Sequence, residues 1–166
     1  MVTAMRSAWG EEATKLYLTD IQANDTKLYP KNTPIVAAVA NGEVEVGFVN
    51  HYYLHRFLAE EGPGFGARNY YIGGGDPGAL VLVAGAAILK TSKQREKAES
   101  FIDYMLSQEA QEFFVQETKE FPVISGIQTV EGLPSIDELE PPSIDVSDLA
   151  DLRGTLDLLR EVGVLP

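Results

Sequence analysis

Val44-Glu45-Val46-Gly47-Phe48-Val49-Asn50-His51-Tyr52-Tyr53-Leu54-His55-Arg56 joins an apolar run to a polar break and two adjacent tyrosines. Val44, Val46, Phe48 and Val49 read as a buried strand, and Asn50 as the N-cap of a helix running from His51 to about Glu61. Tyr52 and Tyr53 then fall in the first helical turn. Consecutive side chains diverge inside a helix and point to opposite faces of a strand, so a strand-to-helix junction is one of the few places where two neighbouring phenols face one cleft. The positive end of the helix favours a deprotonated phenol there, and any anion nearby. Taken from its spacing alone the pair reads first as packing aromatics with half-buried bodies and hydroxyls in water, and Tyr70-Tyr71 repeats the dipeptide elsewhere.

On the N-terminal side of this stretch, Asn32-Thr33-Pro34 is a helix start, with Thr33 at the N-cap and Pro34 where no amide hydrogen is needed; that helix stops at Asn41-Gly42. Asn32 therefore sits beside a second helix N-terminus, either as a turn former or as an anion ligand. Further back, Lys27 to Tyr29 is a short strand candidate, Thr3 to Trp9 is helical, and Ala13, Leu16, Tyr17 and Ile21 mark an amphipathic helix. A helix that opens at residue 1 without a cap suggests an incomplete domain.

On the C-terminal side, Asn69 to Ile72 reads as a strand, Gly73 to Gly78 as a hinge or crossover, and Ala79 to Leu89 as a buried apolar strand. No Lys-Ser/Thr follows the glycines, so a phosphate loop is not supported. Thr91 or Ser92 caps a helix presenting Ala98, Phe101, Ile102 and Met105, and Ser107 restarts it for Ala110, Phe113 and Phe114. Phe121 to Ile124 returns as a strand, Ser135 and Glu138 have capping-box spacing, and Ser147 opens a last helix with Leu149, Leu152, Leu156 and Leu159 on its stripe and Gly163 as its stop. Strands alternating with helices place the whole in the α/β class.

The chain of 166 residues carries a net charge of -12, which argues against nucleic acid or an anionic membrane as partner and is compatible with a cationic ligand. Without cysteine, disulfides, Cys-ligated zinc and thiol nucleophiles are excluded. His51 and His55 stand four apart, the spacing with which two imidazoles share a metal or simply an exposed helical face. Tyr52 occupies the position where a zinc-protease motif needs Glu, and no nucleophile elbow or dinucleotide fingerprint appears, so an enzyme is not expected.

Across Asn32-Thr33-Pro34-Ile35-Val36, Val49-Asn50-His51-Tyr52-Tyr53, Gly75-Asp76-Pro77-Gly78-Ala79-Leu80-Val81 and Ala84-Gly85-Ala86-Ala87-Ile88-Leu89-Lys90, the chain closely resembles the ferric-ion-binding proteins of bacterial iron ABC transporters. Ser107-Gln108-Glu109-Ala110-Gln111, Phe121-Pro122 and Asp148-Leu149-Ala150-Asp151-Leu152 continue the resemblance in the same order. The resemblance implies an α/β fold of the periplasmic-binding-protein type II kind, a mixed sheet flanked by helices, incomplete relative to a two-lobed receptor because only the C-terminal half is matched. It implies 1–75 as the core of the ligand-binding lobe, 76–120 as a crossover strand and helices belonging to the other lobe, and 121–166 as the return.

It further implies capture of Fe(III) by Tyr52 and Tyr53 as paired phenolates, since a hard, highly charged ion prefers anionic oxygen. Asn32 and Asn50 match positions that hold a synergistic anion, such as carbonate, phosphate or citrate. The implied partner is an ABC permease, and the implied location is periplasmic or extracellular, membrane-associated in the full-length relative, with any export signal outside this chain. The N-terminal half of such receptors, with further metal ligands, is not represented. Apolar faces from Ala79 to Leu89 and Phe101 to Phe114 would then be bare, and the chain is expected to self-associate, by exchange of elements between copies. Two alternatives stand beside this: a truncated lobe that oligomerises without binding iron, and a receptor of the same fold for an anion, polyamine or sugar.

Overall fold

The computed structural model describes residues 1–166. Its regular elements are all helical: α1 (Val2–Trp9), α2 (Glu11–Ala23), α3 (Asn32–Ala40), α4 (Tyr52–Glu61), α5 (Arg95–Met105), α6 (Gln108–Phe113), α7 (Ile136–Leu139) and α8 (Leu152–Glu161). Tight 3-10 turns lie at Pro77–Ala79 and Val146–Leu149, and a π turn at Phe114–Thr118 continues α6. No helix is long and apolar enough to cross a membrane.

The mixed sheet expected from the sequence is not formed, which corrects the α/β assignment. Lys27 to Tyr29, Val44 to Val49, Asn69 to Ile72, Ala79 to Leu89 and Phe121 to Ile124 contain no strand residue. A strand exists only when a second one takes up its backbone groups. Val44 to Val49 and Val81 to Ile88 make no backbone hydrogen bonds at all, and most of their apolar side chains face outward: Val46 is 81% exposed and Val83 73%, while Val49 rests against Val36 and Leu54. The period-2 and apolar-run signals were real, but the ladders they need have no second member in this chain.

What is packed falls into two groups. In the first, α1 lies against α2, α8 and both 3-10 turns. Arg6 binds it together, donating to the Glu11 carboxylate at 2.8 Å, to the Asp151 carbonyl at 3.2 Å and to the Thr155 hydroxyl at 3.0 Å, and pairing with the Asp151 carboxylate at 3.0 Å. Thr3 and Thr155 share a hydroxyl hydrogen bond of 2.9 Å, and Lys15 pairs with Glu161. Gly154 makes this approach possible, because a Cβ there would collide with Asp151 and Arg6. The buried face of α2 is Thr14 and Leu18, flanked by Tyr17 and Ile21, whereas Ala13 and Leu16 face solvent. Thr14 is tolerated inside because its hydroxyl donates to the Gly10 carbonyl at 2.8 Å. The last helix begins at Leu152, with Asp151 as its cap; Ser147 lies in the preceding 3-10 turn.

In the second group, α3 and α4 close on Val36, Leu54 and Ala67, ringed by Val39, Ala40, Val49, Tyr53, Phe57, Leu58 and Phe65. Gly47 carries the incoming extended segment past α3, where a Cβ would overlap Ile35. The helix α5 buries no residue, and α6 buries Ala110 and Gln111. The glycine run expected as a hinge is held at two places, by the Gly75 amide donating to the Glu140 carbonyl at 2.8 Å and by Pro77, buried in the turn that packs on α1. The accessible surface is 11644 Å². A compact monomer of this mass exposes about 8,100 Å², so this chain leaves an excess on the order of 3,500 Å² uncovered.

Candidate tyrosine site

Two helix N-termini meet at this site. The first residue of α3 is Asn32, with Lys31 at the cap position, two positions earlier than Thr33 as cap and Pro34 as first helical residue would place it, and α4 begins at Tyr52 with His51 ahead of it in helical conformation. Neither helix has a side-chain cap. Their free amides and aligned dipoles make the space in front of them electropositive.

The four residues singled out in the sequence lie together here. The Asn50 amide donates to the Asn32 side-chain oxygen at 3.1 Å, and the Asn50 side-chain amide donates to the Tyr52 hydroxyl at 3.2 Å. Tyr52 and Tyr53 lie ring against ring, with centroids 4.7 Å apart and planes inclined by 31°. Both are half-buried, and Tyr53 also leans on the Val36–Leu54–Ala67 core. The second dipeptide behaves differently: Tyr70 is 90% exposed, while the Tyr71 hydroxyl accepts from Asn69 at 3.1 Å and burial pushes it above the usual phenol range.

Arg56 was not singled out from the sequence, yet its guanidinium lies 5.8 Å from the Tyr52 ring centre and 5.1 Å from that of Tyr53. The signal was present as spacing, since residue 56 is four after one tyrosine and three after the other on a common helix. It adds a fixed positive charge to a site already at the positive ends of two helices.

His51 and His55 do not form an exposed face. The His51 Nε2 donates to the Lys119 carbonyl at 2.6 Å, its ring packs 5.0 Å from Phe121, and Asn69 holds the His51 carbonyl at 2.9 Å. These contacts anchor the start of α4 to the segment after α6. Their rings are 6.5 Å apart. Burial lowers the His51 pKa, opposed by the Lys119 carbonyl and the charge of Glu120; burial, then the charges of His51 and Lys119, lower that of His55. His55 Nε2 is buried without a partner. Nowhere do three or more His, Asp or Glu side chains gather in an arrangement that could hold a metal. The oxygen donors available at the junction are therefore phenols and side-chain amides.

Comparison with known proteins adds the following. Residues 4–112 match the family model of the bacterial extracellular solute-binding proteins. The chain is 30% identical over 164 residues to the major ferric iron-binding protein of Neisseria meningitidis serogroup B, covering 98% of this chain and 49% of that protein. It is 30% identical over 169 residues to the Fe(3+)-binding periplasmic protein of Serratia marcescens, covering 99% and 49%. The crystal structure of iron-bound HitA from Pseudomonas aeruginosa superposes with a TM-score of 0.87 at 37% identity, over 98% of this chain and 52% of that one. The backbone thus follows the course of half a larger relative even where no ladder forms. The chain spans about half the length of the relatives it matches.

Proposed function

We propose, from the premise that the chain belongs to the bacterial extracellular solute-binding protein family, that it captures ferric iron through Tyr52 and Tyr53. The observation that carries this reading is the tyrosine pair itself: two adjacent phenols laid side by side at the junction of two helix N-termini, in a chain similar to ferric iron-binding proteins. Ferric ion is the cargo. Two phenolates supply the hard anionic oxygens it prefers, and no electron or proton transfer to a product is required, so the protein acts as a binder and not a catalyst.

The charge arrangement supports an accompanying anion. Arg56 and two helix N-termini oppose a bare cation, so a carbonate, phosphate or citrate seated near Asn32 and Asn50 would reconcile the ion with its surroundings. The same feature favours a second reading, a receptor for a small anion without iron.

The relatives' names place them in the periplasm or in iron uptake, and this reading gives the chain the same location and an ABC-type permease as its partner. It retains the division into 1–75 as the binding part, 76–120 as a crossover and 121–166 as the return. It also includes association of the chain with itself, supported by the uncovered surface. Because two tyrosines leave coordination positions open, affinity for iron is weaker than in a receptor with more ligands.

The test is a ferric-citrate titration followed by visible absorbance, with Tyr52→Phe and Tyr53→Phe beside the parent chain. A tyrosinate-to-iron band that is lost in both variants is the expected result. Absence of colour in the parent, with citrate alone still bound, would replace the iron reading by the anion one.

A further inference from the structure

The two tyrosines of the junction are held by different parts of the chain. Tyr53 packs on the Val36, Leu54 and Ala67 core, and Tyr52 lies outside that cluster. Tyr52 instead meets the imidazole of His51 in a T-shaped contact, with ring centroids 5.6 Å apart and planes at 78°.

His51 is itself fixed on several sides. A carbonyl oxygen only accepts, so the 2.6 Å bond to the Lys119 carbonyl places the ring hydrogen on Nε2 and sets which edge of the imidazole faces that segment. Phe121 packs against the ring at 5.0 Å and Tyr71 at 6.4 Å. The His51 backbone is held as well, because its carbonyl accepts from the Asn69 side-chain amide at 2.9 Å, and that amide also donates to the Tyr71 hydroxyl at 3.1 Å. Lys119 takes the left-handed conformation, with φ 60°, where the π turn ends, and it is this residue whose carbonyl His51 uses. Such a backbone is uncommon in a residue that bears a side chain.

We infer that His51 is the positioning residue for Tyr52: an imidazole clamped by residues 119 to 121, against which that phenol is aligned with its neighbour. The inference rests on the reading of the pair as ferric ligands and deepens it. Two phenols serve one ion only while their rings stay side by side, as they do at 4.7 Å. Tyr53 is set by its near neighbours in the α3–α4 group, whereas Tyr52 is set through a bond that spans 68 residues. The two ligands therefore answer to different parts of the fold, and a shift of the 119 to 121 segment reaches Tyr52 while leaving Tyr53 in place.

The test is nuclear magnetic resonance on the metal-free full chain, with a ferric-citrate titration beside it. Cross-relaxation between the Tyr52 and Tyr53 rings reports their alignment, and that between Tyr53 and Val36 reports the core. His51→Gln keeps a donor in reach of the Lys119 carbonyl and removes the ring. It is expected to weaken the first signal, leave the second unchanged, and lower iron affinity about 10- to 100-fold, as loss of a group that orients a metal ligand does. Phe121→Ala removes a ring that packs on the imidazole, so it is expected to weaken the Tyr52–Tyr53 signal in the parent and to add nothing in the His51→Gln background. An unchanged Tyr52–Tyr53 signal in His51→Gln, loss of the Tyr53–Val36 signal along with it, or an equal effect of Phe121→Ala in both backgrounds overturns the inference. So does a parent ferric band whose affinity His51→Gln leaves unaltered. A parent that gives no ferric band overturns the iron reading by itself, and the metal-free signals then decide the alignment by the same criteria.

Discussion

Tyr52-Tyr53 and Tyr70-Tyr71 are the same dipeptide in two backbone settings, and only one of them brings its phenols together. At 70 and 71 the backbone is extended, so one ring turns outward to 90% exposure and the other turns in toward His51. At 52 and 53 the chain enters a helix, and the rings lie 4.7 Å apart. Composition is identical in the two cases; local geometry decides whether two hydroxyls can serve one ligand.

The sharpest test of that contrast is chemical. Replacing both Tyr52 and Tyr53 by Phe is expected to abolish the tyrosinate-to-iron band altogether, while Tyr70→Phe leaves it unchanged; equal loss from both would erase the distinction. Next in size is the scaffold behind the first pair. Leu54 is 4% exposed and sits immediately after Tyr53 in the Val36–Ala67 core. Leu54→Ala is expected to cost about 2–5 kcal/mol in a denaturant melt, with the pair losing its alignment as α4 loosens from α3. A smaller effect belongs to Arg56, which has no counterpart at the second dipeptide. Arg56→Gln is expected to weaken citrate or phosphate binding by up to about fivefold, the size of an exposed charge pair, as read by calorimetry.

The smallest effect concerns Tyr71 alone. Its folded pKa is raised, chiefly by burial, with the Asn69 hydrogen bond acting the other way. A raised phenol favours the neutral form, so the stability it contributes is present below the ordinary phenol value near 10 and is lost as pH rises through the folded value. An alkaline titration followed at the phenolate band should show one fewer late-ionising tyrosine in Tyr71→Phe, with Tyr17 and Tyr29 remaining late. An unchanged profile would mean that burial does not hold back the ionisation of Tyr71.

The features legible in the sequence were those set by near neighbours. Ser107 accepts from the Ala110 amide, Ser135 and Glu138 form a capping box, and Gly163 follows the end of α8, all through interactions spanning a few residues, whereas Asn50, expected as the cap of α4, does not cap it. Where sequence reading failed, distant partners were involved. The strands failed because a ladder needs a second strand, which periodicity cannot supply. On α2, the choice of Thr14 over Leu16 for the interior depended on where α1 and the rest of its group pack, and a hydroxyl bonded to its own helix is as buriable as an apolar group. His51 gave no hint of its bond to Lys119, which lies 68 residues away. Arg56 was visible only once the tyrosines were placed on its helix.

The clasp between the ends of the chain has a consequence during synthesis. Arg6 bonds to Asp151 across 145 residues and Thr3 to Thr155 across 152. Asn32 and Asn50, by contrast, meet across 18. As the polypeptide leaves the ribosome from its N-terminus, the α3–α4 group can close early. Helix α1 waits for Leu152–Glu161, which is made long after it. Until then its apolar face has no α8 to cover it.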